Sequence, residues 1–295
     1  MISDASHEFK NNRLCATVAA HGAELQRLQY TSTLGQQREM LWEGTDPWAR
    51  HSPILFPIVG KLPDDCATLD GQIIRMSQHG FARDCRFDWV ERTETSCTLE
   101  LRDNAETRAF FPRKFILRVK YTLENDTINI IYSVINTDEY YLPMSIGAHP
   151  AFKWPIIPDT PKTQHRLIFS HNEEKPTGRL KKDGLVLKCS PSPVIKREVA
   201  LSEDLFQEGA IIFEALSSRE LQFVTSSGEG LEMSWTNLPS LGLWMIPGSN
   251  FLCIEPWQGY ATPAGFKGDF TDKPGLISIP PREQWEAQWK VRGIG

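Results

Sequence analysis

The chain has 295 residues, 40% of them apolar and 23% charged, with a formal net charge of −5 and no long run of one sign. That is enough apolar material for a sizeable core. The only basic cluster is the short "RLKK" at 179–182, which is no phosphate-tracking stripe and points away from nucleic acid as a partner.

In chain order, the opening "MISDASHEFKNN" has no apolar signal region, and the apolar run "ILFPIVG" at 54–60 is far too short to cross a bilayer. A short strand is expected over "CTLELRD", Cys97–Asp103. Phe115, Leu117, Val119, Tyr121 and Leu123 then alternate with mostly polar neighbours. The alternation resumes after Asn125-Asp126 at Ile128, Ile130, Tyr132 and Val134, which predicts a hairpin with one buried face per strand. The Lys/Glu-rich stretch 171–184 reads as a loop covering a sheet edge. Ser202–Gln207 is the best helical segment, with Ser202 placed to cap it. A second hairpin comes next, with Leu221 and Phe223 before a Ser/Gly turn and Leu231, Met233 and Trp235 after it.

Twenty prolines and twenty glycines punctuate short strands, with no linker-like shift in composition and no βαβ alternation. The expected architecture is all-β: one antiparallel β-sandwich domain over residues 1–295. Six cysteines, at 15, 66, 85, 97, 189 and 253, form no C-x-x-C pair, so zinc spacing is missing and free thiols are expected. The expectation is a soluble cytoplasmic protein with no membrane partner.

Four segments place ionisable groups among apolar and turn-forming residues: "HSPILFPIVGKL" (51–62), "SQHGFARD" (77–84), "SIGAHPAF" (145–152) and "FLCIEPWQGY" (251–260). His79 precedes a glycine that allows a tight turn or close ligand approach, and Arg83 and Asp84 come soon after; a polar loop satisfying its own carbonyls fits equally well. His149 lies beside Gly147 and Ala148, with Pro150 after it. It reads either as a buried neutral histidine or as a general acid working near neutral pH. Glu255 ends an apolar run and precedes Trp257. Burial would raise its pKa and suit it as a base, and an adjacent tryptophan suits stacking on a sugar ring; a strand-end carboxylate facing solvent or an arginine is the alternative. Histidine pairs at metal-ligand spacing are missing, so no metal is expected.

Taken in series, "QHGFARD", "GAHPAF" and "CIEPW" make the chain resemble the aldose 1-epimerase (galactose mutarotase) family, LacX-like branch. The likeness runs from "AAHGAELQRL" (19–28) through "LWEGTDPWARHSPILFPIVGKL" and "DLFQEGAIIFEAL" to "LGLWMIPGSNFLCIEPWQGY" (241–260). The resemblance implies a galactose-mutarotase-like supersandwich of antiparallel strands. It also implies interconversion of the α and β anomers of an aldohexose, without cofactor, by a monomer or homodimer. By that likeness Glu255 is the base at the C1 hydroxyl, His149 the acid at the ring oxygen and His79 a further histidine against the sugar. Lys61, Arg83 and Trp257 would contact substrate, although Lys61 stands near where the family often carries an arginine. The family's gripping aspartate falls near Asp204 or Glu208. Two other readings share the fold. A mutarotase of a phosphorylated hexose would need Lys61, Arg83 and Arg86 to converge, and a non-catalytic carbohydrate-binding protein would need no chemistry.

Overall fold

The computed structural model describes residues 4–180 and 183–295, so the end of the basic run, Lys181–Lys182, lies outside the described residues. Among these residues two large antiparallel sheets carry the fold. The nine-stranded sheet runs in the order Glu198–Ala200, His165–Phe169, Glu220–Thr225, Gly230–Thr236, Gln284–Ile294, Thr127–Asn136, Phe115–Glu124, Ser96–Arg102 and Asp88–Arg92. The eight-stranded sheet runs Val186–Ser190, Thr177–Leu180, Ile211–Phe213, Ser240–Trp244, Phe251–Gln258, Ile146–Ala148 and Ile54–Leu55, with Ala151–Lys153 also pairing to Phe251–Gln258. A four-stranded sheet, Ser6–Lys10 through Gln37–Glu39, is separate in its hydrogen bonding but packs Phe9, Leu14, Val18 and Leu28 into the same core. No helix of the described residues is long and apolar enough to cross a membrane.

The alternation read from the sequence becomes one buried face per strand. Phe115–Glu124 pairs in register with Thr127–Asn136 across a two-residue turn, where Asn125 takes φ 56°. Phe115, Leu117, Val119, Tyr121 and Leu123 are all buried, as are Ile128, Ile130, Tyr132 and Val134. The second hairpin pairs Leu221 with Met233 and Phe223 with Leu231, all four buried. These side chains join a hydrophobic core that includes Trp154, Trp289 and Phe152.

Two local expectations fail. The stretch 171–184 is not an edge cover: it contains the strand Thr177–Leu180, second from the edge of its sheet. Its Glu173 is only 3% exposed, because its carboxylate accepts the backbone N–H groups of Ser217 and Ser218 at 3.0 and 2.6 Å. Ser202–Gln207 forms a 3-10 turn over Glu203–Phe206, and the Ser202 side chain does not cap it. The one α-helix among the described residues lies elsewhere, at Ala105–Phe110. There the Asn104 side chain accepts from Glu106 and Thr107 N–H, and the Thr107 hydroxyl accepts the Asn104 N–H in return.

The strand Phe251–Gln258 is buried for seven of its eight residues and sits between Ser240–Trp244 and Ile146–Ala148. Trp257 is wedged there because glycines flank it. A Cβ on Gly147 or Gly242 would lie inside van der Waals distance of opposite ends of the indole, so only glycine leaves it room. Gly147→Ala and Gly242→Ala should therefore each lower stability by roughly 1–3 kcal/mol through overpacking. Denaturant midpoints with unchanged slopes would check this, and wild-type midpoints in both variants would refute it.

Candidate active site

The segment 77–84 is riveted to 54–60. Phe56 N–H donates to the His79 carbonyl at 3.3 Å, and the Phe56 carbonyl accepts from Phe81 and Ala82. His79 N–H donates to the Gly60 carbonyl at 2.7 Å, and Gly60 N–H donates back to His79 Nδ1 at 3.1 Å. His79 itself adopts φ 70°, an unusual conformation for a non-glycine residue. Gly80 comes next at φ 71°, where any Cβ would strike the Phe56 carbonyl. Because Nδ1 accepts a backbone N–H, the neutral His79 ring must carry its proton on Nε2. That edge faces the Gln78 side-chain nitrogen at 3.2 Å, itself a donor, so the two N–H groups do not bond to each other.

His149 occupies the corner between Ile146–Ala148 and Ala151–Lys153. Three rings box its imidazole: Trp48 stacks on it at 5.1 Å, while Trp244 and His79 meet it edge-on at 5.6 Å each. Its Nε2 lies 3.2 Å from Glu255 Oε2. The carboxylate projects from the middle of Phe251–Gln258, and is only 2% exposed. Glu255 Oε2 and His149 Nδ1 have no hydrogen-bond partner.

Burial sets the electrostatics. It pushes the Glu255 carboxyl well above the usual carboxylate range and holds the His149 imidazole down at about 3. His79 is likewise pushed well down by burial, helped by His149 and by the positive charges of Arg83 and Arg50. Both groups of the Glu255–His149 pair are thus driven towards their uncharged forms.

These groups face a cavity of about 250 Å³, small for a ligand pocket and suited to a single small polar molecule. Gln78, His79, Arg83, His149 and Glu255 give it a polar side; Trp48, Trp244 and Trp257 give it aromatic walls. Of the residues singled out in the sequence, His79, Arg83, His149, Glu255 and Trp257 thus come together from segments far apart in the chain. Lys61 does not line the cavity; its ammonium lies 3.8 Å from Asp65. Asp204 and Glu208 do not line it either, and Asp204 accepts from the Gln207 side chain at 2.7 Å. Arg83 donates to the Gln78 carbonyl at 2.7 Å and lies 3.7 Å from Asp84, which also holds Arg50 at 2.8 Å.

Trp257 departs from the stacking role expected of it. It is only 4% exposed, being clamped by Gly147 and Gly242, so it forms a wall of the cavity and not an open platform. The half-buried rings are Trp48 and Trp244. Sequence reasoning singled out neither of these, nor Gln78. The signal was present, since each lies inside a segment that carries the family likeness, but nothing local marks which tryptophan faces a cavity.

An aldose 1-epimerase family profile matches residues 6–273. The plasmid-encoded LacX protein of Lactococcus lactis subsp. lactis is 32% identical over 96% of this chain and 98% of its own length. Among solved structures, a galactose mutarotase related enzyme from Lactobacillus acidophilus superposes with a TM-score of 0.88 at 30% identity, covering 98% of this chain and 97% of that one. A galactose mutarotase-like protein from Lactobacillus casei gives 0.87 at 27% identity, covering 97% and 99%. The antiparallel sandwich is therefore of the galactose-mutarotase-like type.

The site geometry makes a spectroscopic prediction. At about pH 6, where an ordinary exposed histidine is largely protonated, the imidazole ¹⁵N resonances of His79 and His149 should be those of neutral rings, with the His79 proton on Nε2. An imidazolium pattern for either, or Nδ1–H at His79, would contradict this burial and hydrogen bonding.

Proposed function

Because the chain belongs to the aldose 1-epimerase family, we propose that it is a mutarotase that interconverts the α and β anomers of an aldohexose by acid/base ring opening and closure. The observation that carries the reading is the buried pair His149 and Glu255, with Nε2 and Oε2 3.2 Å apart at the cavity wall. Mutarotation needs a base at the C1 hydroxyl and an acid at the ring oxygen, two adjacent atoms. Side chains this close can serve both at once.

Glu255 takes the C1 hydroxyl proton while His149 gives one to the ring oxygen. The bond from C1 to the ring oxygen breaks and leaves the open-chain aldehyde. Rotation about C1–C2 presents the other carbonyl face, and closure returns both protons. The state after ring opening has Glu255 protonated and His149 neutral, the arrangement that burial favours in the free site. The starting state differs only in the position of that proton, so substrate binding has to move one proton between the two groups and take none from solvent. His79, neutral with Nε2–H outward, is suited to donate to the sugar near the ring oxygen and stabilise developing charge.

The alternative of a phosphorylated hexose needs converging cations. Of Lys61, Arg83 and Arg86, only Arg83 lines the cavity, while Lys61 lies near Asp65 and Arg86 near Asp4. A free aldose is therefore the favoured substrate.

Polarimetry of fresh α-D-glucose and α-D-galactose tests the reading. Wild type should accelerate the approach to equilibrium, and Glu255→Gln and His149→Asn should each remove about 10²–10⁴-fold of that acceleration. Sugar binding with a rate no faster than buffer would favour a non-catalytic carbohydrate-binding protein; acceleration with glucose 6-phosphate alone would favour the phosphorylated substrate.

The pH dependence comes from the proton count. Burial holds the His149 pKa down at about 3, far below an ordinary histidine, and pushes that of Glu255 upward, so the two titrations are driven apart. Activity is lost at low pH, as His149 takes up a proton, and at high pH, as Glu255 gives one up. On the acid side, buffer-corrected kcat/KM should fall only as the pH drops towards about 3, with no loss at the ordinary histidine value of about 6.5. Activity that falls off on the acid side of about 6.5, the value of an unperturbed histidine, would contradict the depressed His149 imidazole.

A further inference from the structure

Cys253 takes no part in the proton transfers, yet it lies directly beside the groups that make them. It stands two residues before Glu255 on the same strand, so both side chains point to one face of the sheet. It pairs in register with Ala151, just beyond His149. The thiol sulfur, an imidazole nitrogen of His149 and a carboxylate oxygen of Glu255 all lie within 4.8 Å of one another, and all three residues are buried.

We propose that these three side chains form an inhibitory site for a single borderline-soft divalent cation of the zinc class, bound through the Cys253 sulfur, a His149 nitrogen and a Glu255 carboxylate oxygen. Three observations carry it. The donor set is one thiolate, one imidazole and one carboxylate, the mixture that such ions select over magnesium or calcium. The spacing fits, because a tetrahedral ion with bonds of about 2.0–2.3 Å needs its ligand atoms roughly 3.5 Å apart. The observed separations, from 3.2 Å for the His149–Glu255 pair to at most 4.8 Å, bracket that value. Finally, Glu255 Oε2 and His149 Nδ1 are buried polar atoms with no hydrogen-bond partner, and the Glu255 oxygen is aimed at the cluster.

The cavity against His149 and Glu255 supplies both the entry path and an open fourth position for water or a sugar hydroxyl. As the metal is bound, the thiol proton of Cys253 and the carboxyl proton of Glu255 both leave to solvent, and no redox change is involved. The bound ion occupies the lone pairs of both proposed proton-transfer groups. Donor geometry alone defines the site and metal binding reads it, so it stands or falls separately from mutarotase activity.

The experiment titrates the purified chain with Cd²⁺ alone and follows the ultraviolet thiolate-to-metal absorption. One ion per chain should bind with that band, Zn²⁺ should displace it, and Mg²⁺ should not. Cys253→Ala, and the better-filling Cys253→Val, should lose the band and bind at least about tenfold more weakly, since even groups that only orient metal ligands are worth about 10–100-fold. Cys189→Ser, which removes the exposed thiol, should keep the band. Circular dichroism of each variant establishes that it is folded. No band in wild type, or a band undiminished in folded Cys253→Ala and Cys253→Val, overturns the proposal.

Discussion

The site turns on the cost of burying a carboxylate and an imidazole side by side. A charged carboxylate taken out of water without a partner is expensive, and a protein ordinarily avoids it or neutralises it. Here Glu255 and His149 share the burden: each is driven towards its uncharged form, and His149 Nε2 lies 3.2 Å from Glu255 Oε2. Such a pair is poised. It resists gaining or losing a proton to solvent, but passing one internally changes no net charge. A reaction that moves one proton out of a substrate while moving another in is matched to that property.

The scaffold serves to hold this arrangement still. Glu255 comes from the middle of a sheet strand, paired with Gly242 on one side, while its neighbours Cys253 and Trp257 pair with Ala151 and Gly147 on the other. Trp257, two residues on, is clamped between two glycines and stiffens the same strand. His149 has no sheet partner of its own and depends instead on the rings of Trp48, Trp244 and His79. His79 in turn is fixed by reciprocal hydrogen bonds with Gly60, at the expense of a left-handed backbone conformation. The nearby guanidinium groups, Arg83 and Arg50, are tied to Asp84. They add positive potential that opposes further protonation of both histidines.

Much of this was legible in the chain because alternation is a local property. The hairpin over 115–136 and the one over 220–236 arise from side chains two residues apart sharing a face, which no distant contact needs to decide. Short helices were not legible in the same way. Ala105–Phe110 is too brief for a 3.6-residue period to show, and what defines it is the reciprocal capping of Asn104 and Thr107. The charge of the stretch 171–184 suggested solvent, whereas Glu173 is buried against two backbone N–H groups supplied from 217–218. Charge predicts exposure only until a partner from elsewhere in the chain satisfies it.

The sequence by itself determined the fold class and family and narrowed the site to four segments, because those depend on residue type, spacing and order. It could not decide which members of those segments meet. Lys61 and Arg83 were both expected to contact substrate, yet one lies near Asp65 outside the cavity and the other lines it. Trp257 looked like an open platform, and the glycines that wedge it come from two other strands. That Cys253 belongs beside His149 and Glu255 was likewise invisible, although it lies two residues from one of them. Only the pairing of Phe251–Gln258 with its neighbours brings a thiol, an imidazole and a carboxylate together. The physical reason is the same in each case. A side chain's chemistry is set by what surrounds it, and in an antiparallel sandwich most of those surroundings arrive from strands distant in the chain.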